Sequence, residues 1–153
     1  GKKRDEWQRR LDSGKAQALL EIRNFTIDFA KISRHSRNLV YGADDGLFLW
    51  ELWRKSPEGF TAGICKSVEG KKILEQYAKT LDEIERPVLA TNLEEFSDVI
   101  FDFVFFRNPV TTKESFVDFA EKVKNLKELY PECKIIISQK KLPRRVAFLL
   151  EVE

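Results

Sequence analysis

Residues 39–50 read Leu39-Val40-Tyr41-Gly42-Ala43-Asp44-Asp45-Gly46-Leu47-Phe48-Leu49-Trp50. A β-type run over 38–41 meets a turn bounded by two glycines, and 47–55 then has helical composition, stopped by Ser56-Pro57-Glu58-Gly59. Gly42 and Gly46 allow a tight turn with backbone close to a ligand, and the amides that open the helix at Leu47 attract an anion. Yet two adjacent carboxylates stand where that anion would sit. Either aspartate can instead cap the helix by accepting its free N–H groups, which leaves the other free. The residues alone leave a capped strand-to-helix turn and a ligand loop both open.

Outward from this turn the chain alternates. Before it, apolar residues at Trp7, Leu11, Ala18, Leu19, Ile22, Phe25, Phe29 and Ile32 have the spacing of an amphipathic helix over residues 5–33, with an interruption expected near Ser13-Gly14. After it, 60–65 reads as a strand, and a helix opening at Ser67 carries Ile73, Leu74, Tyr77 and Leu81 on one face. Residues 87–93 (PVLATNL) form a third strand and 99–106 (VIFDFVFF) a fourth, apolar enough to be covered on both sides. A helix begins at Thr111 or Thr112, with Phe116, Phe119, Ala120, Val123 and Leu126 at helical spacing, and KIIIS at 134–138 is a fifth strand. The segment 142–153 reads equally as helix or strand.

Hydrophobic strands joined by amphipathic helices favour a three-layer α/β/α sandwich on a mainly parallel five-stranded sheet, with right-handed crossovers and order 3-2-1-4-5. The expected division is an N-terminal helix over 1–33 packing on a Rossmann-like domain over 34–153. Ligands of such sheets bind beyond the carboxyl ends of the strands, near the point where strand order reverses. Those ends are 42–46, Cys65-Lys66, Thr91-Asn92 and Arg107-Asn108-Pro109.

Composition narrows the classes. Lys plus Arg (27) nearly cancel Asp plus Glu (25), so no domain-wide basic field argues for nucleic acid. Two distant cysteines, Cys65 and Cys133, make neither a disulfide scaffold nor a CxxC metal site, and a reducing, cytoplasmic setting is expected. No apolar run approaches the roughly 20 residues of a membrane span. Gly1 in place of Met, and the absence of Met throughout, lead us to expect an excised part of a longer protein.

LVYGADDGLFLWEL resembles the first motif of Rossmann-type (class I) S-adenosylmethionine-dependent methyltransferases, an acidic residue followed by Gly-x-Gly-x-Gly, at Gly42 and Gly46. Val40 stands where the family prefers an acid, and Asp44 replaces the middle glycine. FTAGICKS is similar to the second strand, with Cys65 where an acid usually holds the ribose hydroxyls. Thr91-Asn92 falls where the third strand ends near the adenine. The resemblance thus implies a cofactor site at Gly42, Ala43, Asp44, Gly46, Cys65 and Asn92. It also implies a minimal or truncated version of the fold, with little room for the family's sixth and seventh strands. More narrowly, GLFLWELWRKSPEGFTAG, ERPVLATN, FFRNPV and SQKKLPRR resemble a methyltransferase-like domain fused to replication-associated recombination AAA+ ATPases of the RarA type. The chain has no GxxxxGK[ST], so ATP hydrolysis is not expected of it.

Arg107-Asn108-Pro109-Val110 lacks the second proline and the aromatic residue of the motif with which amino-methylating enzymes hold a target nitrogen, and reads as a strand-end turn. In an active enzyme Asn108 is the polar group for the substrate. His35, the single histidine, reads as a surface or linker residue, and no metal site is expected. Trp50 and Trp53 share a helix face and read as core. Lys140, Lys141, Arg144 and Arg145 form a basic cluster at the sheet's carboxyl end, either a solvated loop or a contact to nucleic acid or another acidic partner. The expectation is a degenerate methyltransferase-like domain, an accessory module of a recombination or DNA-maintenance ATPase. The alternatives are an active methyltransferase and a non-catalytic interaction module. The partners expected are other domains of a longer chain, an AAA+ ATPase among them.

Overall fold

The computed structural model describes residues 2–142. In chain order these form α1 (Lys2–Ala30), β1 (Arg37–Tyr41), α2 (Leu47–Lys55), β2 (Phe60–Ile64), α3 (Val68–Ala78), β3 (Val88–Ala90), β4 (Phe103–Arg107), α4 (Lys113–Leu129) and β5 (Lys134–Ser138). All five strands run parallel in one sheet of order β3-β2-β1-β4-β5, with Leu39 of β1 aligned on Ala62 of β2 and on Val104 of β4. This is the Rossmann-like α/β arrangement expected from the alternation of strands and helices.

Period-two alternation divides the strands between two layers. Val40, Phe103 and Phe105 point to one face, where they meet Phe48, Leu49 and Leu52 of α2, Leu74 of α3, and Ile27 and Ala30 of α1. Leu39, Ala62, Ile64, Val104 and Phe106 point to the other, against Leu126 and Phe119 of α4, Tyr130, and the loop residues Phe96 and Phe101. Helices α2 and α3 share a face because each crossover moves the same way along the sheet; α4, crossing the opposite way, lies on the other. Capping follows the sequence: Ser67 accepts from the Gly70 amide at 3.0 Å, and Thr112 and Ser115 close a capping box on α4.

Some boundaries differ from expectation. Helix α1 runs unbroken through Ser13-Gly14. One glycine in a helix costs only about 1 kcal/mol. Strand β4 starts at Phe103; just before it Asp102 donates its amide to the Arg37 carbonyl and accepts the Lys134 amide, each at 2.8 Å, while its carboxylate accepts the Arg37 amide at 2.9 Å. On α3 the buried pair is Leu74 and Ala78, while Ile73 and Tyr77 stay exposed. Trp50 is only partly buried; it packs on the α2/α3 face and edges Trp53, whose indole N–H donates to the Glu85 carbonyl. Only the last two turns of α1 carry buried residues, and Arg23–Glu51 (3.6 Å) and Lys55–Asp28 (3.1 Å) tie them to α2. The segment 143–153 lies outside the described residues.

Candidate functional site

Beyond β1 the chain makes a single 3-10 turn, Ala43–Asp45, between two left-handed glycines, Gly42 at φ 70° and Gly46 at φ 69°. That backbone region explains why glycine occupies both positions. The turn is held from inside: the Gly42 amide donates to the Ile64 carbonyl at 2.9 Å, and the Gly46 amide to the Ala43 carbonyl at 2.8 Å.

The two aspartates do different work, and only one caps α2. Asp45 accepts the Leu47 amide at 3.0 Å and pairs with Arg107 at the end of β4. Asp44 turns the other way. Its carboxylate accepts the Lys66 amide at 2.7 Å, and the Ser67 amide and hydroxyl at 3.2 Å each, so it joins the β1 turn to the start of α3. Gly70 makes room for this: a Cβ there would lie 2.3 Å from the carboxylate oxygen. Burial pushes the Asp44 carboxyl up, but the Lys66 and Ser67 amides, its own amide and the Ser67 hydroxyl outweigh that and hold it below the usual carboxylate range.

Between the strand ends lies a crevice of about 560 Å³, a size that suits a small-molecule ligand. Gly42, Cys65, Asn92 and Asn108 all border it, so four of the expected site residues come together there, whereas Ala43, Asp44 and Gly46 do not line it. Their polar groups are largely engaged. The Asn92 carbonyl oxygen caps the turn Leu93–Phe96 by accepting the Glu95 amide at 3.3 Å. Asn108, in a left-handed conformation at φ 49°, accepts the Lys140 amide at 2.7 Å and clasps the loop after β5. Cys65 is buried, and burial together with the nearby Asp44 charge pushes its thiol up to about 11. At neutral pH it is an uncharged thiol.

The rest of the wall comes from residues without an expected role in the site. Tyr41 stacks on Phe106 at 4.6 Å between ring centroids, Phe119 meets Phe106 edge-on, and the Lys122 ammonium lies 6.0 Å from the Tyr41 ring centre. Burial pushes the Tyr41 phenol up to about 12, with the Tyr130 charge adding to the rise. Lys66 lies along the turn, its Cε only 3.2 Å from where a Gly42 Cβ would be. Among the lining residues Lys66, Arg107 and Lys122 are cationic, and Asp118 alone is acidic. Position at a strand end was a usable signal for Lys66 and Arg107; the α4 residues gave none.

Lys140 and Lys141 are exposed beside this end of the sheet without lining the crevice, and Arg144 and Arg145 lie outside the described residues. His35 is exposed and faces Glu58 at 3.2 Å. Among the described residues no group of three His, Cys, Asp or Glu side chains could hold a metal ion, and no helix is long and apolar enough to cross a membrane. No protein-family profile and no curated protein matches this chain.

Proposed function

We propose that this chain is a non-catalytic, degenerate relative of S-adenosylmethionine-dependent methyltransferases that serves as an accessory module of a DNA-maintenance ATPase. The observation that carries the first half is the self-occupied turn. Carboxylates from the chain itself engage the Leu47, Lys66 and Ser67 amides, groups that the first helix turns would otherwise offer to an anion.

The crevice chemistry supports the same reading. A ribose diol held at the end of β2 needs a charged acceptor, and the neutral Cys65 thiol supplies none; each missing charge-assisted hydrogen bond forgoes about 1.5–3 kcal/mol before desolvation. A sulfonium cation would also enter a crevice bordered by three cations and one acid. The residues present therefore do not fit the cofactor, and no methyl-transfer step follows from them. The accessory role rests on the resemblance of the loops to the ATPase-fused domain and on exposed Lys140 and Lys141 at the crevice end of the sheet.

Calorimetric titration with S-adenosylmethionine and S-adenosylhomocysteine tests the reading. The expected result is no heat of binding at millimolar ligand. Micromolar binding that disappears in Gly42→Val would overturn it and favour an active enzyme. Co-sedimentation with DNA and with an AAA+ ATPase of the RarA type then tests the accessory role, for which at least one must bind.

A further inference from the structure

The amino-terminal two-thirds of α1 project beyond the body of the domain: from Lys3 to Ile22 every residue is exposed. Surface helices that lie on nothing are ordinarily polar all round. This one is not. Trp7, Leu11, Ala18, Ile22, Phe25 and Phe29 fall within an arc of about 60° at 100° per residue. That makes a straight stripe about 33 Å long at 1.5 Å per residue. It is also distinct from the face used inside the domain, because Ile27 and Ala30, which pack on the sheet, point well away from it. The rings carry the exposure: Trp7 is 60% accessible, Phe25 74% and Phe29 69%.

From this stripe we infer that two copies of the chain pair through α1 in antiparallel orientation. Area is the first argument. Three aromatic side chains about two-thirds exposed, with Leu11 and Ile22, leave about 500 Å² of apolar surface uncovered, near the top of what a solitary monomer carries. Two such surfaces laid together bury on the order of 1,000 Å², the lower bound of a specific interface.

Charge selects the occupant and its direction. On one flank of the stripe, Lys3 and Arg10 lie toward the amino end, and Glu21 and Asp28 toward the carboxyl end. A two-fold axis perpendicular to the helices sets this flank beside its own reversed copy, so that Arg10 of one chain lies next to Asp28 of the other. Parallel pairing would instead bring Lys3, Arg4, Arg10 and Lys15 of both chains together. Side-chain size agrees with the antiparallel register. With Ala18 on the axis, Trp7 opposes Phe29 and Leu11 opposes Phe25, while Gly14 and Ala18 let the helices approach closely at the centre. The inference uses a different part of the molecule from the proposed function and does not depend on it.

Sedimentation of the 153-residue chain across a micromolar concentration series is the test, paired with disulfide trapping. A reversible dimer is expected, weakened at least about tenfold by Phe25→Glu, with each chain's thermal unfolding at low concentration unchanged. An equimolar mixture of Leu11→Cys and Phe25→Cys chains should form a mixed disulfide, since native Cys65 and Cys133 are buried and do not compete. A monomer throughout the series, a dimer indifferent to Phe25→Glu, or faster cross-linking of Leu11→Cys with itself than in the mixture would each overturn the proposal.

Discussion

At the carboxyl end of β1, the groups that could hold a ligand are bonded within the chain: Asp44 to the Lys66 and Ser67 amides, Asp45 to the Leu47 amide and Arg107. Along the first two-thirds of α1 the reverse holds, and large apolar side chains lie exposed, with none of the described residues covering them. At the turn where the fold ordinarily offers amides to an anion, those amides are taken by the chain's own carboxylates, beside a crevice that stays open. The place where a soluble helix is ordinarily inert is left open. Binding capacity is therefore better located by counting unsatisfied groups than by fold position.

If the turn is structural, the residue beneath it must be costly to remove. Leu49 of α2 is fully buried in the layer that supports the turn. Leu49→Ala should cost about 3 kcal/mol in chemical denaturation. A loss below about 1 kcal/mol would mean that this layer is loosely packed and that the contrast with α1 is weaker than drawn.

Asp44→Ala comes next. It strands two amides at the start of α3, and because the site is only partly buried the expected loss is about 1–2 kcal/mol. The direction with pH is set by the lowered carboxyl pKa. Ionised Asp44 contributes its stability fully above the ordinary carboxylate range, and that stability is lost as pH falls through the lowered value in the folded chain. Wild type and Asp44→Asn should therefore differ most near neutral pH and converge in acid. A constant gap across the range would show that ionisation of Asp44 contributes nothing to the turn's stability.

The bond that settles the role of Asp44 spans 22 positions to Lys66, and no local pattern announces it. What local patterns did announce was the sheet: its order, the Ser67 and Thr112 caps, and the limits of α2 and β5 follow from periodicity and from residues with cap chemistry. They misplaced the start of β4, since alternation does not distinguish a ladder residue from Phe101, a loop residue buried just as deeply. The site divides along the same line. Gly42, Cys65, Asn92 and Asn108 were readable because topology alone carries strand ends to one crevice. Lys122 and Asp118 were not, because a side chain reaching in from α4 depends on helix rotation.

Asp45 sharpens the contrast within the turn. Its pair with Arg107 is substantially exposed, so Asp45→Ala should cost less than about 1 kcal/mol, and the loss should shrink further at high salt. A cost equal to that of Asp44→Ala would show that both aspartates hold the turn, rather than one stapling it and the other closing its rim.

The smallest effect belongs to α1. Phe25 is 74% exposed, so in dilute protein Phe25→Ser should leave unfolding free energy within about 0.5 kcal/mol of wild type. Concentration then separates the two regions. A chain that pairs through the stripe gains stability by mass action, so its melting temperature rises with protein concentration, whereas that of Phe25→Ser stays flat. Variants of the turn that keep α1 should retain the wild-type slope, because Asp44 and Asp45 touch nothing on the stripe. A melting temperature independent of concentration in the wild type would remove the functional half of the comparison and leave α1 an uncovered helix. A slope that survives Phe25→Ser but not Asp44→Ala would move the association surface to the sheet's carboxyl end.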